Sequence, residues 1–390
     1  MRHLFLFSLL CLCAVVGSAQ AEVIVGAARW ESYKDLLAGK RIALVVNQTS
    51  AIGEQHLVDF LLAHNVNIVR LFAPEHGFRG EADAGQKVKD GKDVKTNLPI
   101  ISLYGNNKKP KKEQLADVDL VVFDIQDVGV RFYTYISTLT YVMEACAQQN
   151  KPLLVLDRPN PNAHYVDGPV LDSAFSSFIG LHPVPIVYGM TIGEYATMVN
   201  GQKWLHTSQK CQLTVITCQN YTHQTVYALP IAPSPNLRDM KSIYAYPSIC
   251  LFEGTESSEG RGTTFPFLIF GNPTYKGFAN YTFTPQAGAG SQNPKLKDKL
   301  CRGYNLSDLS ENEIRNWKNI DLSYLIDVYA HTPEKSTFFL KNNFFDKLAG
   351  TSELRLDIIR KKNIASIKAS WQSKLNHFKQ IRRKYLLYKE

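Results

Sequence analysis

The chain has 390 residues, of which 45% are hydrophobic and only 20% are charged. This composition excludes a disordered chain, a collagen and a coiled coil, and it is typical of a globular protein. Lysine and arginine outnumber aspartate and glutamate by 44 to 35, which gives a formal charge of +9. A basic chain suits an anionic polymer as partner, but a surface of solvated lysines is the simpler explanation.

The first 21 residues have the pattern of a secretory signal peptide. Arg2 precedes an apolar run over residues 4–16, and residues 19–21 read Ala-Gln-Ala, an A-x-A cleavage site. A run of this length is too short to span a bilayer, which takes about 20 residues. We therefore expect an exported protein, periplasmic or secreted, that begins at Glu22 and has no stable membrane insertion.

Six short apolar runs alternate with helical stretches in the first part of the mature chain. Strands are predicted over residues 41–46, 68–72, 100–103, 120–123, 153–156 and 213–216, with helices over 55–64, 134–149 and 191–200. Continuous apolar strands that alternate with helices are typical of a parallel sheet covered on both faces. The pattern predicts a doubly wound α/β domain with a mostly parallel sheet over residues 22–266.

After residue 266 the pattern loosens into aromatic-rich segments that Gly and Pro interrupt. We interpret residues 267–390 as a smaller, β-rich subdomain of the α+β type. Its end carries Ile364, Trp371 and Phe378 at helical spacings, which predicts an amphipathic helix. Docking of this helix on its own domain is the expected role, with binding to a membrane surface as the alternative.

Motifs for cofactors, metals and disulfides are missing. The chain contains no G-x-G-x-x-G motif after a strand, no Walker loop, no C-x-x-C pair and no H-E-x-x-H. We therefore expect neither a cofactor nor a metal. Five cysteines remain after residue 21, so at most two disulfides can form, and Cys211 with Cys218 is the nearest pair along the chain.

Polar clusters follow the first five predicted strands. They occupy residues 47–50, 73–80, 104–105, 124–133 and 157–162. Ligands of parallel α/β sheets bind outside the carboxyl ends of the strands. Five clusters at that edge predict a binding or catalytic site there.

Carboxylates supply most of the reactive chemistry in these clusters and in the Gly-rich segment 253–264. No G-x-S-x-G nucleophile motif is present. Paired carboxylates, one protonated and one ionised, are what cleavage of a glycosidic bond requires. Structural roles compete with this interpretation, because Asp124 could cap a helix or pair with Arg131, while Glu253 and Glu259 could brace their own turn.

The same segments resemble the NamZ-type exo-β-N-acetylmuramidase family of bacteria. The matching motifs are PEHGFRG at 74–80, DIQDVGVRFYTY at 124–135, DRPNP at 157–161, YGMTIGE at 188–194, PSPN at 233–236 and EGTESSEGRGTT at 253–264. They follow one another in consistent order over residues 40–390. The resemblance implies a Rossmann-like domain joined to a smaller β-rich subdomain, with a cleft between the two.

The resemblance also implies an activity. Members of that family are glycoside hydrolases that remove terminal N-acetylmuramic acid from the non-reducing end of peptidoglycan fragments. Among the candidate catalytic residues Glu75, Glu253, Glu259 and Asp124, Glu75 is the first choice for the acid, with Glu253 or Glu259 as its partner. Retention with a protein nucleophile, inversion, and assistance by the substrate's acetamido group all stay open.

The remaining polar residues of the motifs are candidates for substrate binding. An arginine fork can bind the lactyl carboxylate of N-acetylmuramic acid, or it can orient a catalytic carboxylate. Tyrosine rings can stack on a pyranose. The candidates are Asn47, His76, Arg79, Tyr104, Gln126, Asp127, Arg131, Tyr133, Arg158, Asn160, Asn236 and Arg261. The expected partner is a muropeptide or disaccharide derived from peptidoglycan, with no nucleic acid, and a non-catalytic muropeptide-binding protein is the alternative function.

Overall fold

A seven-stranded sheet lies at the centre of the computed structural model, which describes residues 21–78 and 90–390. Within these residues the strands are β1 (Ile42–Val46), β2 (Ala51–Ile52), β3 (Gln55–His56), β4 (Ile68–Ala73), β5 (Gly91–Lys92), β6 (Pro99–Ser102), β7 (Leu120–Asp124), β8 (Leu153–Leu156), β9 (Leu213–Ile216), β10 (Ile269–Asn272), β11 (Tyr281–Phe283) and β12 (Cys301–Asn305). The six strands predicted from apolar runs are all present.

Helices cover the sheet and form most of the C-terminal part. In the same described residues they are α1 (Lys34–Leu37), α2 (Leu57–Ala63), α3 (Lys112–Leu115), α4 (Tyr135–Gln148), α5 (Ile192–Gly201), α6 (Met240–Ile249), α7 (Glu311–Arg315), α8 (Ser323–His331), α9 (Phe344–Ala349), α10 (Glu353–Ile359) and α11 (Ile364–Arg382). Helix α5 begins with a capping box, in which Thr191 accepts from the Glu194 amide and the Glu194 side chain accepts from the Thr191 amide.

The strand order of the sheet is β5-β6-β4-β1-β7-β8-β9. All neighbouring strands are parallel except β5, which runs antiparallel to β6 at one edge. Numbered along the chain, the six parallel strands have the order 3-2-1-4-5-6 of a doubly wound Rossmann-like sheet. The predicted fold class is confirmed.

Both faces of the sheet are buried, because successive side chains of a strand point to opposite faces. Ala43, Val45 and Phe123 belong to the hydrophobic cluster on the side of α4 and α5. Leu44 and Val122 belong to a second cluster on the side of α1 and α2. This two-sided burial explains why the strands are continuous apolar runs without a polar alternation.

The C-terminal part contains the smaller antiparallel sheet, with strand order β10-β12-β11. Helices α7 to α11 follow it in the chain. One hydrophobic cluster includes Phe123 of the large sheet, Phe270 of the small sheet and Trp371 of α11. The two parts predicted from sequence, residues 22–266 and 267–390, therefore share one core.

The five cysteines of the described residues share one kind of environment. Cys146, Cys211, Cys218, Cys250 and Cys301 are buried thiols in the described part of the chain, and none is in a disulfide. Burial raises the pKa of the Cys301 thiol to about 11.

No helix within residues 21–78 and 90–390 is long and apolar enough to cross a membrane.

Helix α11 packs on its own chain, as its apolar spacing predicts. Ile367, Trp371, Leu375 and Phe378 are buried along one side. The Trp371 indole also donates a hydrogen bond to Asp167 Oδ1 at 3.2 Å. The apolar face of the helix is therefore covered by protein.

Truncation of the indole in Trp371→Ala is expected to lower the free energy of unfolding by about 3–5 kcal/mol, because a large buried side chain leaves a cavity. Denaturant unfolding of purified protein measures this loss. Gln380→Ala, on the exposed side of the same helix, serves as the control and is expected to stay within about 0.5 kcal/mol of wild type. Equal stability of wild type and Trp371→Ala would contradict the docking of α11.

Candidate active site

A cavity of about 740 Å³ lies beside the carboxyl ends of β4 and β6. The loops that follow these strands and β7 line one side of it. The turn after α6 and the loop between β11 and β12 line the other. Side chains from the sheet and from the C-terminal part therefore meet across one cavity.

Glu75 reaches the cavity from the loop that follows β4. Its Oε1 accepts a hydrogen bond from the Tyr104 hydroxyl at 3.0 Å, and its Oε2 accepts one from the Thr134 hydroxyl at 2.7 Å. The next residue, His76, is buried, lines the cavity and has a φ of 68°. Positive φ is uncommon outside glycine, so the backbone is strained at this tight turn. Backbone strain of this kind clusters at functional sites.

Two further glutamates line the cavity from the turn over residues 252–261, which follows α6. Arg261 lies between them, with Nη2 2.7 Å from Glu253 Oε1 and Nε 3.4 Å from Glu259 Oε1. Lys295, from the loop between β11 and β12, has its Nζ 2.9 Å from Glu259 Oε2. One turn thus carries two carboxylates that share an arginine.

The two glutamates of this turn differ in burial. The side chain of Glu253 is 19% exposed and that of Glu259 is 3% exposed. Burial alone raises the pKa of Glu259, but the charges of Lys295 and Arg261 outweigh burial and hold the pKa below its usual value. Burial lowers the pKa of Arg261, whereas Glu253 and Glu259 raise it above its usual value, so the guanidinium stays charged.

Aromatic rings complete the cavity wall. The Tyr133 ring packs edge-on against Tyr135, with centroids 4.9 Å apart, and its hydroxyl donates to the Pro233 carbonyl at 2.8 Å. The Tyr104 ring lies 6.1 Å from the Phe178 ring. All four rings line the cavity, so it combines acidic groups with apolar faces.

Asp124 and Arg158 form a buried ion pair that does not belong to this lining. Arg158 donates from Nε to Asp124 Oδ1 at 2.6 Å and from Nη2 to Oδ2 at 2.8 Å. Nη2 also donates to the Ala51 carbonyl at 3.0 Å. Both Asp124 oxygens are engaged by this one arginine. The two side chains form a structural ion pair, and the catalytic role of Asp124 and the substrate-binding role of Arg158 stay predictions that these contacts do not support.

Arg131 is also committed inside the protein. Its Nη1 donates to the carbonyls of Pro169 and Val184 at 2.8 and 2.7 Å, and its Nη2 donates to the Leu348 carbonyl at 2.8 Å. Burial lowers the pKa of the guanidinium to about 9. The side chain joins the loop after β7 to the end of α9. It neither pairs with Asp124 nor lines the cavity, so its contact with substrate stays a prediction that these contacts do not support.

Four buried amide side chains brace loops instead of lining the cavity. Each donates to a partner inside the protein: Asn47 to the Tyr135 hydroxyl at 2.9 Å, Gln126 to the Asp127 and Pro159 carbonyls at 2.7 Å each, Asn160 to the Met190 carbonyl at 2.8 Å and Asn236 to the Gly290 carbonyl at 2.7 Å. None of the four lines the cavity, so their role in substrate binding stays a prediction that these contacts do not support. Asn236 acts on the site indirectly, because Gly290 lines the cavity.

Asp127 is buried near the same loops. Its Oδ2 accepts from the Gly129 amide at 2.7 Å and from the Tyr188 hydroxyl. Within the described residues its Oδ1 has no hydrogen-bond partner. Burial raises the pKa of this carboxyl to about 6, and the hydrogen bonds from Tyr188 and Gly129 offset only part of that rise. Its expected place among the substrate ligands is not supported, since it does not line the cavity.

The structure thus brings together Glu75, His76, Tyr104, Tyr133, Glu253, Glu259 and Arg261 of the residues selected from sequence. Arg79 lies outside the described residues. Thr134 and Lys295 were missed, although Thr134 falls inside the motif at 124–135. No group of three or more His, Cys, Asp or Glu side chains in the described part of the chain is arranged to hold a metal ion.

Two family models match consecutive parts of the chain. The N-terminal model of exo-beta-N-acetylmuramidase NamZ matches residues 42–241, and the C-terminal model matches residues 244–388. A relative from Bacillus subtilis (strain 168), described as peptidoglycan beta-N-acetylmuramidase NamZ, is 38% identical over 379 residues, which is 91% of this chain and 89% of the relative.

Two solved structures of DUF1343 family proteins from Bacteroides fragilis NCTC 9343 are also similar. The first is 49% identical with a TM-score of 0.88, and the match covers 95% of this chain and 100% of the other. The second is 29% identical with a TM-score of 0.79, and the match covers 94% and 99%. The fold described above therefore has close counterparts along nearly its whole length.

The raised pKa of Asp127 predicts a pH dependence of stability. The folded protein holds this proton up to about pH 6, whereas an unfolded aspartate loses it near pH 4. This carboxyl therefore stabilises the fold fully below about pH 4, and the contribution is lost as the pH rises to 6. Asp127→Asn is expected to remove that loss of at most about 3 kcal/mol.

Urea unfolding of both proteins between pH 4 and 7 measures the effect. The stability of Asp127→Asn relative to wild type is expected to increase across this range, while the exposed control Asp308→Asn shows no such trend. A constant difference between Asp127→Asn and wild type would contradict the prediction.

Proposed function

This chain belongs to the exo-beta-N-acetylmuramidase NamZ family, and on that basis we propose that it is a glycoside hydrolase that releases N-acetylmuramic acid from the non-reducing end of peptidoglycan fragments. Its substrate is then a muropeptide or disaccharide derived from the cell wall. The relative from Bacillus subtilis carries the corresponding description.

The observation that carries the proposal is the presence of three glutamates, from two distant parts of the chain, around one cavity. Glu75 accepts hydrogen bonds from the hydroxyls of Tyr104 and Thr134, and Glu253 and Glu259 contact the charged Arg261. Glycosidic cleavage needs one carboxyl group that donates a proton and another that stays ionised. The cavity volume of about 740 Å³ is in the range of small-molecule sites.

Glu75 is the proposed general acid. A hydroxyl can donate to a carboxylate and, after rotation, accept from the protonated acid. Tyr104 and Thr134 can therefore keep a hydrogen bond to Glu75 in both of its protonation states. These two hydroxyls thus suit a carboxyl group that gives up a proton to the leaving oxygen and regains one.

Glu253 is the proposed second carboxylate. It is the more exposed of the two glutamates in its turn, and its Oε1 is the oxygen that Arg261 binds. The other oxygen, Oε2, remains for a water molecule or for the anomeric carbon. Arg261 then orients Glu253, which is one of the two roles considered for this arginine from sequence. Tyr104 and Tyr133 offer ring faces for the pyranose.

Removal of either proposed catalytic carboxylate is expected to abolish most of the activity. Glu75→Gln and Glu253→Gln preserve side-chain shape but cannot donate a proton or carry charge, so kcat is expected to fall by about 10²–10⁴-fold. Release of free N-acetylmuramic acid from a disaccharide with N-acetylmuramic acid at its non-reducing end measures this loss.

Glu256→Gln is the matched control, because Glu256 lies in the same turn as Glu253 but is exposed. Its kcat is expected to stay within about twofold of wild type. Undiminished release by Glu75→Gln would remove Glu75 from the mechanism, and the same result for Glu253→Gln would remove Glu253. Binding of the disaccharide by wild type without any release would instead identify a muropeptide-binding protein.

We also propose that the protein is exported, on the basis of the signal-peptide pattern in residues 1–21. Cleavage after Ala21 is expected to leave a chain that begins at Glu22. Intact-mass measurement of protein recovered from the periplasm or the medium of the producing cell tests this. Recovery of the full-length chain from the cytoplasm alone would contradict it.

A further inference from the structure

Lys295 occupies an unusual position on the cavity wall. It comes from the loop between β11 and β12, and its Nζ donates to the carbonyls of Phe252 at 2.7 Å, Thr255 at 3.0 Å and Ser257 at 2.6 Å. These three carbonyls all belong to the turn that carries Glu253 and Glu259. A side chain distant in sequence therefore fixes the path of that turn.

The geometry of the ammonium group limits what else Lys295 can do. An ammonium has three hydrogens and no acceptor, and the three carbonyls use all of them. The contact with Glu259 Oε2 at 2.9 Å is therefore an ion pair rather than a further hydrogen bond, and Oε2 has no hydrogen-bond partner within the described residues. A lysine bonded in this way has no hydrogen left for a carboxylate of the substrate.

The charge of Lys295 balances a buried carboxylate. Glu259 faces two cations. One is Lys295, which comes from the loop before β12, and the other is Arg261, which lies in the same turn as Glu259 and is shared with Glu253. Two residues of helix α6 and its end interact with the same charged groups. Tyr246 of α6 interacts with Arg261, and Cys250, which directly follows α6, interacts with Glu259. Of these groups only Lys295 and Arg261 are cations, so removal of Lys295 leaves two glutamates with one arginine.

We propose that Lys295 is a positioning residue of the proposed hydrolase, a role that rests on the proposed function: it holds the turn over residues 252–261 through three carbonyls and supplies the charge that balances Glu259. Arg261 is thereby left to orient Glu253. Lys295 acts through these groups and does not contact the reacting atoms. Its loss is expected to lower kcat by about 10²-fold, as small displacements of catalytic groups do, with little change in KM.

Two charge-removing variants, Lys295→Met and Lys295→Gln, test the proposal. Glutamine keeps two N–H donors for the carbonyls. Lys295→Gln is therefore expected to fold even if Lys295→Met does not. In both, kcat is expected to fall, and the Glu259 carboxyl is expected to titrate at higher pH because it then faces burial with less compensating charge. Lys295→Arg restores the charge and is expected to return the Glu259 titration toward its wild-type position. Lys297→Met, an exposed lysine two residues away, is the matched control with wild-type kcat and Glu259 titration.

A measurement that does not depend on turnover separates this proposal from the proposed function. Carbon-13 NMR of glutamate-labelled protein follows the ionisation of Glu259, whose signal is assigned by its loss in Glu259→Gln. The Glu259 carboxyl is expected to titrate at higher pH in Lys295→Met and Lys295→Gln than in wild type. An unchanged titration in both folded variants would overturn the role of Lys295. Absence of N-acetylmuramic acid release by wild type would overturn the proposed function and leave the titration result to stand on its own.

Discussion

The buried ion pair between Asp124 and Arg158 joins the ends of the neighbouring strands β7 and β8. A doubly wound sheet ordinarily binds ligands where the strand order reverses, which here is between β1 and β7. Val46 and Asp124 lie opposite each other at the ends of these strands, and Arg158 follows β8. At that point Arg158 donates hydrogen bonds to both oxygens of Asp124 and to the Ala51 carbonyl. The cavity that Glu75 and Tyr104 line lies beside β4 and β6, the strands that these residues follow.

A shared arginine explains how two glutamates can lie in one turn. Two carboxylates close together repel each other and raise each other's pKa, but Arg261 contacts both and Lys295 contacts the more buried one. The path of the turn depends on glycine as well. Gly260 has a φ of 87°, and a Cβ there would lie 2.3 Å from the Ile269 carbonyl of β10. Charge balance and backbone conformation therefore both restrict the segment 253–264.

Sequence patterns predict the parts of the molecule that local physics determines. The apolar runs identify the six parallel strands because burial on both faces leaves no room for polar alternation. The order PEHG after β4 directs attention to Glu75. A polar residue at a strand end, however, is equally compatible with ligand binding and with bracing of a loop. The choice depends on distant partners, as when Arg131 donates to the Leu348 carbonyl, 217 residues away in the chain. Lys295 lies in a lysine-rich stretch, and only tertiary contacts distinguish it from the exposed Lys297.

The proposed catalytic pair comes from different parts of the chain, so its geometry depends on how firmly those parts are joined. Glu75 follows the large sheet, whereas Glu253 follows α6 and packs near the C-terminal helices. One hydrophobic cluster runs from Phe123 through Phe252 to Phe345, so the parts that carry Glu75 and Glu253 pack on a shared core. Arg131 adds hydrogen bonds that join the loop after β7 to α9. A site assembled across such a joint is preorganised before substrate arrives, which is the condition under which fixed charges stabilise a transition state most effectively.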